Sequence, residues 1–584
     1  MFLVRAAAFV QVTFLPGYVL LVALGIDRSH RIQTLVRAFA ASLVVNWVLV
    51  FVLTVTRLYH PTVLWLVFAL ECAWFVRLHW RRRASGDLLG IARLEPLRET
   101  PLPFQVALML AVASAVVLGA YVLWNSDAVF TEWDAVASWN RWALDWAANR
   151  LPVNAQHYPQ LVPASWSVLY VLSNDTVVQA QARMVQALYP LAIALTFIDV
   201  GLRHRSSRVL LAAPIWTILM HLIAAPWNAI PDVLSSGWVD IPVSFFGLLA
   251  VVTALYAEER TERDWLLALF FACGAALTKQ AGLFALAFVW AYALVERRDR
   301  KFVLSSAALV VVLVASWYVM KQIQIQLGLD GSEIPYVTGG VHQGRGPLER
   351  VLYAGVLLGR IPYLGPLGIP ALVAAAALVG IAARDARHRI IVLGLVLPFL
   401  AVWLFLYSYD TRNATLVVPL VALAMCHALP SREITRIPTR LELVAAAGVA
   451  VAAWGAVTYV EDEARERQLA QQRRIGDPEV NAALYQFFEA NPIRGRVLTA
   501  YQMLGFLPGF KDRMVALPGV LRVAELDAAD GDPEIGYLLH PVGWMSPTAR
   551  QAIDERVAAG RYRHVFFARS RQGLGVLRFV QLRP

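Results

Sequence analysis

The chain has 584 residues, of which 58% are hydrophobic and only 16% charged, with a mean hydropathy of +0.56. That is too apolar for a soluble globular protein and points to a polytopic membrane protein. The net charge of +11 does not imply nucleic acid as a partner, because the basic residues fall in short clusters between apolar runs, the pattern of loops that meet anionic lipid headgroups. All three cysteines, Cys72, Cys273 and Cys426, lie within apolar segments, which argues against a disulfide framework and a thiolate metal site.

In chain order, Met1 to Gly25 is apolar, contains Arg5 and Pro16, lacks a small-residue cleavage site, and reads as a retained span. Further spans are expected near 34–57, 61–78, 104–124, 178–200, 209–225, 239–257, 303–320, 365–383, 390–407, 414–429 and 441–460. The stretch 265–295 is broken by Thr278-Lys279-Gln280-Ala281-Gly282 and charged on both flanks. It therefore reads as two short helices meeting at Lys279, which brings the expectation to about fourteen transmembrane or half-membrane helices. The basic clusters Arg28 to Arg31, Arg81-Arg82-Arg83, Arg203-His204-Arg205, Arg384 to Arg389 and Arg432 to Arg440 then share one side, the cytoplasmic one. The loop 125–177, the turn Tyr407 to Asn413 and the C-terminal tail fall on the outer, periplasmic or extracellular, side of a cytoplasmic membrane.

Residues 1–460 are thus expected to form a multi-span transmembrane domain with an outer loop at 125–177. Beyond residue 461 the composition turns polar. Pro478–Ala490 and Pro547–Ala559 read as helices, and Arg496–Tyr501, His564–Ala568 and Gly575–Leu582 as strands. A small α/β domain is expected over 461–584, on the outer face.

The outer loop concentrates candidate chemistry. Glu132 and Asp134 flank Trp133, and in an extended segment they share a face. A carboxylate there can take a proton from an attacking hydroxyl or join an oxygen-ligand metal site. The bland alternative is a solvated loop, with Asp134 as N-cap of a helix over Ala135–Asn149. The indoles of Trp133, Trp139, Trp142 and Trp146 suit either an interfacial belt or a platform for a sugar ring. Arg141, His157 and Tyr158 belong with them as sugar or acceptor contacts, a loop histidine being more often a plain hydrogen bonder. Lys279, held at membrane depth, faces either an anionic partner or, by snorkelling, the interface. Arg412 can clasp phosphate through its planar fork or pair with Asp410. Asp240 opens a span on the same side, where its charge complements a helix N-terminus; it is also counted among the sugar or acceptor contacts.

The strings EWDAVASWNRWA, HYPQLVPASW, SGWVDIPVSFF, AALTKQAGLF and DTRNATLVVPLVALA resemble, in order, the landmarks of GT-C glycosyltransferases, membrane enzymes that use polyprenyl-phosphate-linked sugars. Glu132-Trp133-Asp134 looks like the ExD variant of that family's acidic pair. TKQAG is similar to its Thr-Lys-Asn-Glu-Gly pattern, with Gln280 and Ala281 where Asn and Glu are usual.

The resemblance implies inverting sugar transfer from a polyprenyl-phosphate donor to a hydroxyl of a glycan, glycolipid or protein. Asp134 would be the general base with Glu132 as its partner, and Lys279 and Arg412 would meet the donor phosphate. No cofactor is assigned: the acidic pair is compatible with a divalent metal, but no fuller oxygen cage accompanies it. The competing classes are an envelope polysaccharide polymerase or ligase with a diphosphate-linked donor, and a transporter, which calls for matching broken helices in two halves.

Overall fold

The computed structural model describes residues 2–26, 31–84, 101–124, 130, 134–152, 155, 158–175, 179–224, 234, 237–257, 260–327, 346–352, 368–407, 411–428, 483–484, 486–487, 490–491, 495–499, 513–516, 521–542, 545–569 and 576–582. Glu132, Trp133, His157 and Asp410, and the span expected at 441–460, lie outside the described residues. The chain divides into two compact units. One comprises Met1–Asp127 and Trp142–Glu461, the other Ala128–Arg141 and Asp462–Pro584.

The first unit is helical. Among the described residues six helices are long and apolar enough to cross a membrane, or seven if one bent pair is a single span. The pair is α1 (Phe2–Thr13) and α2 (Leu15–Ala23), expected as one continuous span but bent by 43°. Pro16 sits in the first turn of α2, where its missing N–H costs nothing, so a new helix starts there. The six are α3 (Arg31–Val55), α4 (Pro61–Ala84), α5 (Leu102–Trp124), α8 (Ala180–Arg203), α13 (Arg300–Gln326) and α15 (Ala386–Leu406). Between them lie α6 (Arg141–Ala147), α7 (Leu161–Ser173), α9 (Ser207–Ala224), α10 (Asp240–Leu255), α11 (Glu262–Thr278), α12 (Gly282–Glu296) and α14 (Gly368–Ala382), and α16 (Val418–His427) follows α15.

Every residue of α10 is buried, as its all-round apolar sequence demands of a core helix. α8 and α11 both pack on it. Because a bilayer offers no hydrophobic drive between helices, polar contacts share in the packing. The Asn46 side-chain amide donates to the carbonyls of Gln11 (3.0 Å) and Ser42 (2.8 Å) and so joins α3 to α1.

The break expected inside 265–295 is present. α11 opens with a capping box between Thr261 and Asp264, ends at Thr278, and passes through an extended Lys279 (φ −152°, ψ 151°) into α12. Gly282 is required for this re-entry, because a Cβ there would lie 2.0 Å from the carbonyl oxygen of Ala275.

In the second unit, β1 (Arg496–Thr499), β2 (Met514–Ala516), β3 (Ile535–Pro541), β4 (Tyr562–Arg569) and β5 (Val576–Leu582) form one sheet in the order β2-β1-β3-β5-β4. β1 runs parallel to β2 and β3, whereas β5 is antiparallel to β3 and β4. β2 and β3 lie on opposite sides of β1, and α17 (Val523–Gly531) lies in the connection between them. Leu526 of α17 and Ile553 of α18 (Pro547–Ala558) join Leu538, Val580 and Leu582 of the sheet in a buried core.

Candidate functional site

Two segments of the first unit converge on Lys279. Its Nζ donates to Oδ1 of Asp240 at 2.6 Å and to Oδ1 of Asn413 at 2.9 Å. Asp240 stands in the first turn of α10, where the exposed backbone N–H groups favour a carboxylate. Gly237, with φ at +90°, makes the preceding turn, a conformation that glycine adopts without steric penalty.

Asn413 lies on a 3₁₀ segment, Thr411–Val417, that leads into α16. Two bonds lock that segment to α10: Ser244 Oγ donates to the Thr415 carbonyl (2.6 Å), and Thr415 Oγ1 donates to the Asp240 carbonyl (3.2 Å). Arg412, beside Asn413, stacks its guanidinium 3.9 Å from the ring centroid of Trp238. The carbonyl of Trp238 accepts from Gln186 Nε2 of α8 at 2.6 Å, so the aromatic platform is itself anchored.

These contacts decide between the readings of Lys279. A snorkelling lysine extends to the interface; this one is turned inward onto a carboxylate that is only 4% exposed. Asp240 is thereby the counterion of Lys279, in addition to stabilising its helix end. Sequence reasoning missed Asn413 and Trp238, and the only available hint was their adjacency to Arg412 and Asp240.

Asp134 does not cap a helix. It is itself helical (φ −63°, ψ −39°), makes no side-chain cap bond, and precedes a π-helical turn at Ala135–Asn140 that runs into α6. The cap expectation fails because the chain is already wound at Asp134, whereas a cap residue needs a non-helical backbone. Arg141 begins α6. Trp139, Trp142 and Trp146 are buried, so they do not form an exposed belt; Trp142 packs against Tyr158 with ring centroids 5.9 Å apart.

A second inward lysine had no sequence signal. Lys321 is fully buried, donates to the Pro152 carbonyl (2.9 Å) and to Gln324 Oε1 (2.8 Å), and sits 5.4 Å from the centroid of the Trp317 ring.

No family model matches the chain, and no curated protein matches it. Among solved structures it is similar to ArnT from Cupriavidus metallidurans in the apo state, at 14% identity and a TM-score of 0.46 over 81% of this chain and 97% of that one. ArnT bound to undecaprenyl phosphate aligns at 14% identity and 0.42 over the same shares. The Archaeoglobus fulgidus oligosaccharyltransferase, in complex with zinc and sulfate, aligns at 14% identity and 0.43, over 81% of this chain and 72% of that one. Likenesses this distant carry no weight for chemistry, and the functional reading rests on the residues around Lys279.

Proposed function

We propose that this protein is an integral membrane glycosyltransferase that moves a sugar from a polyprenyl-phosphate donor to an acceptor hydroxyl of a glycan, glycolipid or protein, on the outer face of the cytoplasmic membrane. The observation that carries the reading is the cluster at the break between α11 and α12: Lys279 fixed by Asp240 and Asn413, with Arg412 on Trp238 beside it. Ionised groups are expensive at membrane depth and are retained there for a charged ligand or a proton path. Among the described residues the cluster brings Lys279 and Arg412 together beside Asp240, and cations so placed suit an anion that carries an apolar tail, such as a lipid phosphate.

In the reaction, the acceptor oxygen attacks the anomeric carbon, the bond from that carbon to the phosphate oxygen breaks, and the configuration inverts. The acceptor proton passes to Asp134, assigned as base on the sequence pattern with Glu132 as its partner. The electron pair leaves with polyprenyl phosphate, and the fixed charges of Arg412 and Lys279 stabilise it as it develops. Asp240 holds Lys279 in place, while Trp133, Arg141, His157 and Tyr158 are assigned to sugar or acceptor contacts, and the buried Trp139 is withdrawn from that set.

The test incubates the purified protein with a panel of radiolabelled polyprenyl-phosphate sugars and measures released polyprenyl phosphate. One donor should turn over, with activity lost in Asp134→Asn and Lys279→Met at unchanged expression. Turnover only of diphosphate-linked donors points instead to a polymerase or ligase. Full activity in both variants overturns the assignment of these residues.

A further inference from the structure

A second polar cluster, separate from Lys279, is built where α10 and α16 have their other ends. Asp240 is the first residue of α10, and Tyr256 caps its C-terminus, so 16 residues separate the two clusters by about 24 Å along the helix axis. The Tyr256 hydroxyl lies 3.1 Å from Nε2 of His388. The other ring nitrogen, Nδ1, lies 2.8 Å from Oδ2 of Asp385. His427, the last residue of α16, stacks on the His388 ring with centroids 3.8 Å apart. The His388 side chain is 4% exposed and that of Asp385 42%, so the cluster is walled on one side and open to solvent on the other.

An imidazole nitrogen facing a carboxylate oxygen at 2.8 Å needs a cation between them, either a proton or a metal ion. The N-cap role of Asp385, which accepts from the His388 backbone N–H at 3.1 Å, explains the first two residues of the cluster. It does not explain the third. His427 comes from a different helix and stacks on the His388 ring, and a metal ion would take one of its ring nitrogens as a further ligand.

One donor atom from each of Asp385, His388 and His427 lies within 4.8 Å of the others. A tetrahedral ion with bonds of 2.0–2.2 Å sets its ligands roughly 3.3–3.6 Å apart and lies in the plane of each ligating ring, so closure needs shifts on the order of 1.5 Å together with rotation of the His427 ring out of its stack on His388. Two imidazoles and a carboxylate suit zinc and its first-row neighbours, not calcium or magnesium. Tyr256 supplies the outer partner that a ligating histidine needs: with Nε2–H donating to the phenol oxygen, the Nδ1 lone pair faces the ion.

We propose that Asp385, His388 and His427 form a binding site for a divalent transition-metal ion of the zinc class, with a fourth position open to water. The ion would tie the start of α15 to the end of α16. It would brace α10 and α16 at their far ends, the same two elements that present Asp240 and Asn413 to Lys279.

The site is tested on tag-free full-length protein in detergent, stripped with chelator and titrated with Zn²⁺ or Co²⁺. One equivalent should bind, with the visible absorption of four-coordinate cobalt and a higher thermal unfolding midpoint. His427→Ala should abolish that equivalent. The Arg387 guanidinium lies 4.5 Å from the centroid of the Tyr256 ring; Tyr256→Phe, which keeps that ring, should weaken binding about 10- to 100-fold. Asp385→Asn retains a good N-cap acceptor, so it loses the metal without losing the helix start, and its unchanged elution on gel filtration verifies folding. Absence of binding by the wild type, or wild-type stoichiometry and affinity in Asp385→Asn and His427→Ala, overturns the proposal.

Discussion

Lys279 Nζ approaches Asp240 Oδ1 to 2.6 Å, a contact between one helix break and one helix start that no local rule requires. Removing one partner leaves the other charged and largely buried, at a cost of about 3–5 kcal/mol. Lys279→Met and Asp240→Asn should therefore each lower the thermal unfolding midpoint sharply. The double variant Lys279→Met/Asp240→Asn should recover a good part of that loss, since no unpaired charge remains, yet it should stay inactive with lipid-phosphate donors. A double variant that regains activity would show the pair to be structural only.

Gly282 fixes how closely α12 can start beside α11. A Cβ there meets backbone, the Ala275 carbonyl at 2.0 Å, which cannot swing aside as a side chain does. Gly282→Ala should cost roughly 1–3 kcal/mol or more and displace Lys279 from Asp240. The prediction is checked by unfolding in detergent together with donor turnover, where activity should fall further than stability explains.

Much of this was legible in the sequence because a bilayer imposes strict rules. Lys279 stands out in a long apolar stretch, and its two short flanking helices follow from the polar break together with the charged flanks. The helix Pro547–Ala558 and the strand Arg496–Thr499 were foreseen from period and turn residues. Asn413 and Trp238 were not, because a neutral amide and one of 19 tryptophans carry no signal until the fold brings them to Lys279. Asp385, His388 and His427 were invisible for the same reason: the third donor arrives on another helix, at no diagnostic spacing. The cap alternative for Asp134 could not be set aside from sequence, because residue type alone does not reveal that the backbone is already helical.

The stacking of Arg412 on Trp238 makes a change to lysine more than a conservative swap. Lysine keeps the charge but loses the planar stack and the fork, and a cation over an indole contributes about 0.5–2 kcal/mol. Arg412→Lys should raise KM for the donor by about tenfold, the equivalent of 1.4 kcal/mol, with a smaller change in kcat. Trp238→Leu should reproduce part of that rise by leaving the guanidinium unsupported. Steady-state kinetics with varied donor distinguishes this from loss of the base, which lowers kcat.

The C-terminal sheet unit has its own titrating lock. Arg556 of α18 pairs with Asp527 and Asp530, and the Tyr562 hydroxyl donates to the second Asp530 oxygen at 2.6 Å. Burial, then the bond to Asp530, raises the Tyr562 pKa above its ordinary value. Only the neutral phenol can donate, so a raised folded-state pKa means stability that is fully present below the unfolded value, about 10, and is lost as pH rises above it. Tyr562→Phe should remove about 0.5–1.5 kcal/mol at neutral pH and flatten this loss at alkaline pH. Far-ultraviolet circular dichroism of the full-length protein as a function of pH reads both effects, since the strands of this unit are the sheet that the tyrosine secures. A wild-type alkaline transition identical to that of Tyr562→Phe would place its cause elsewhere in the protein.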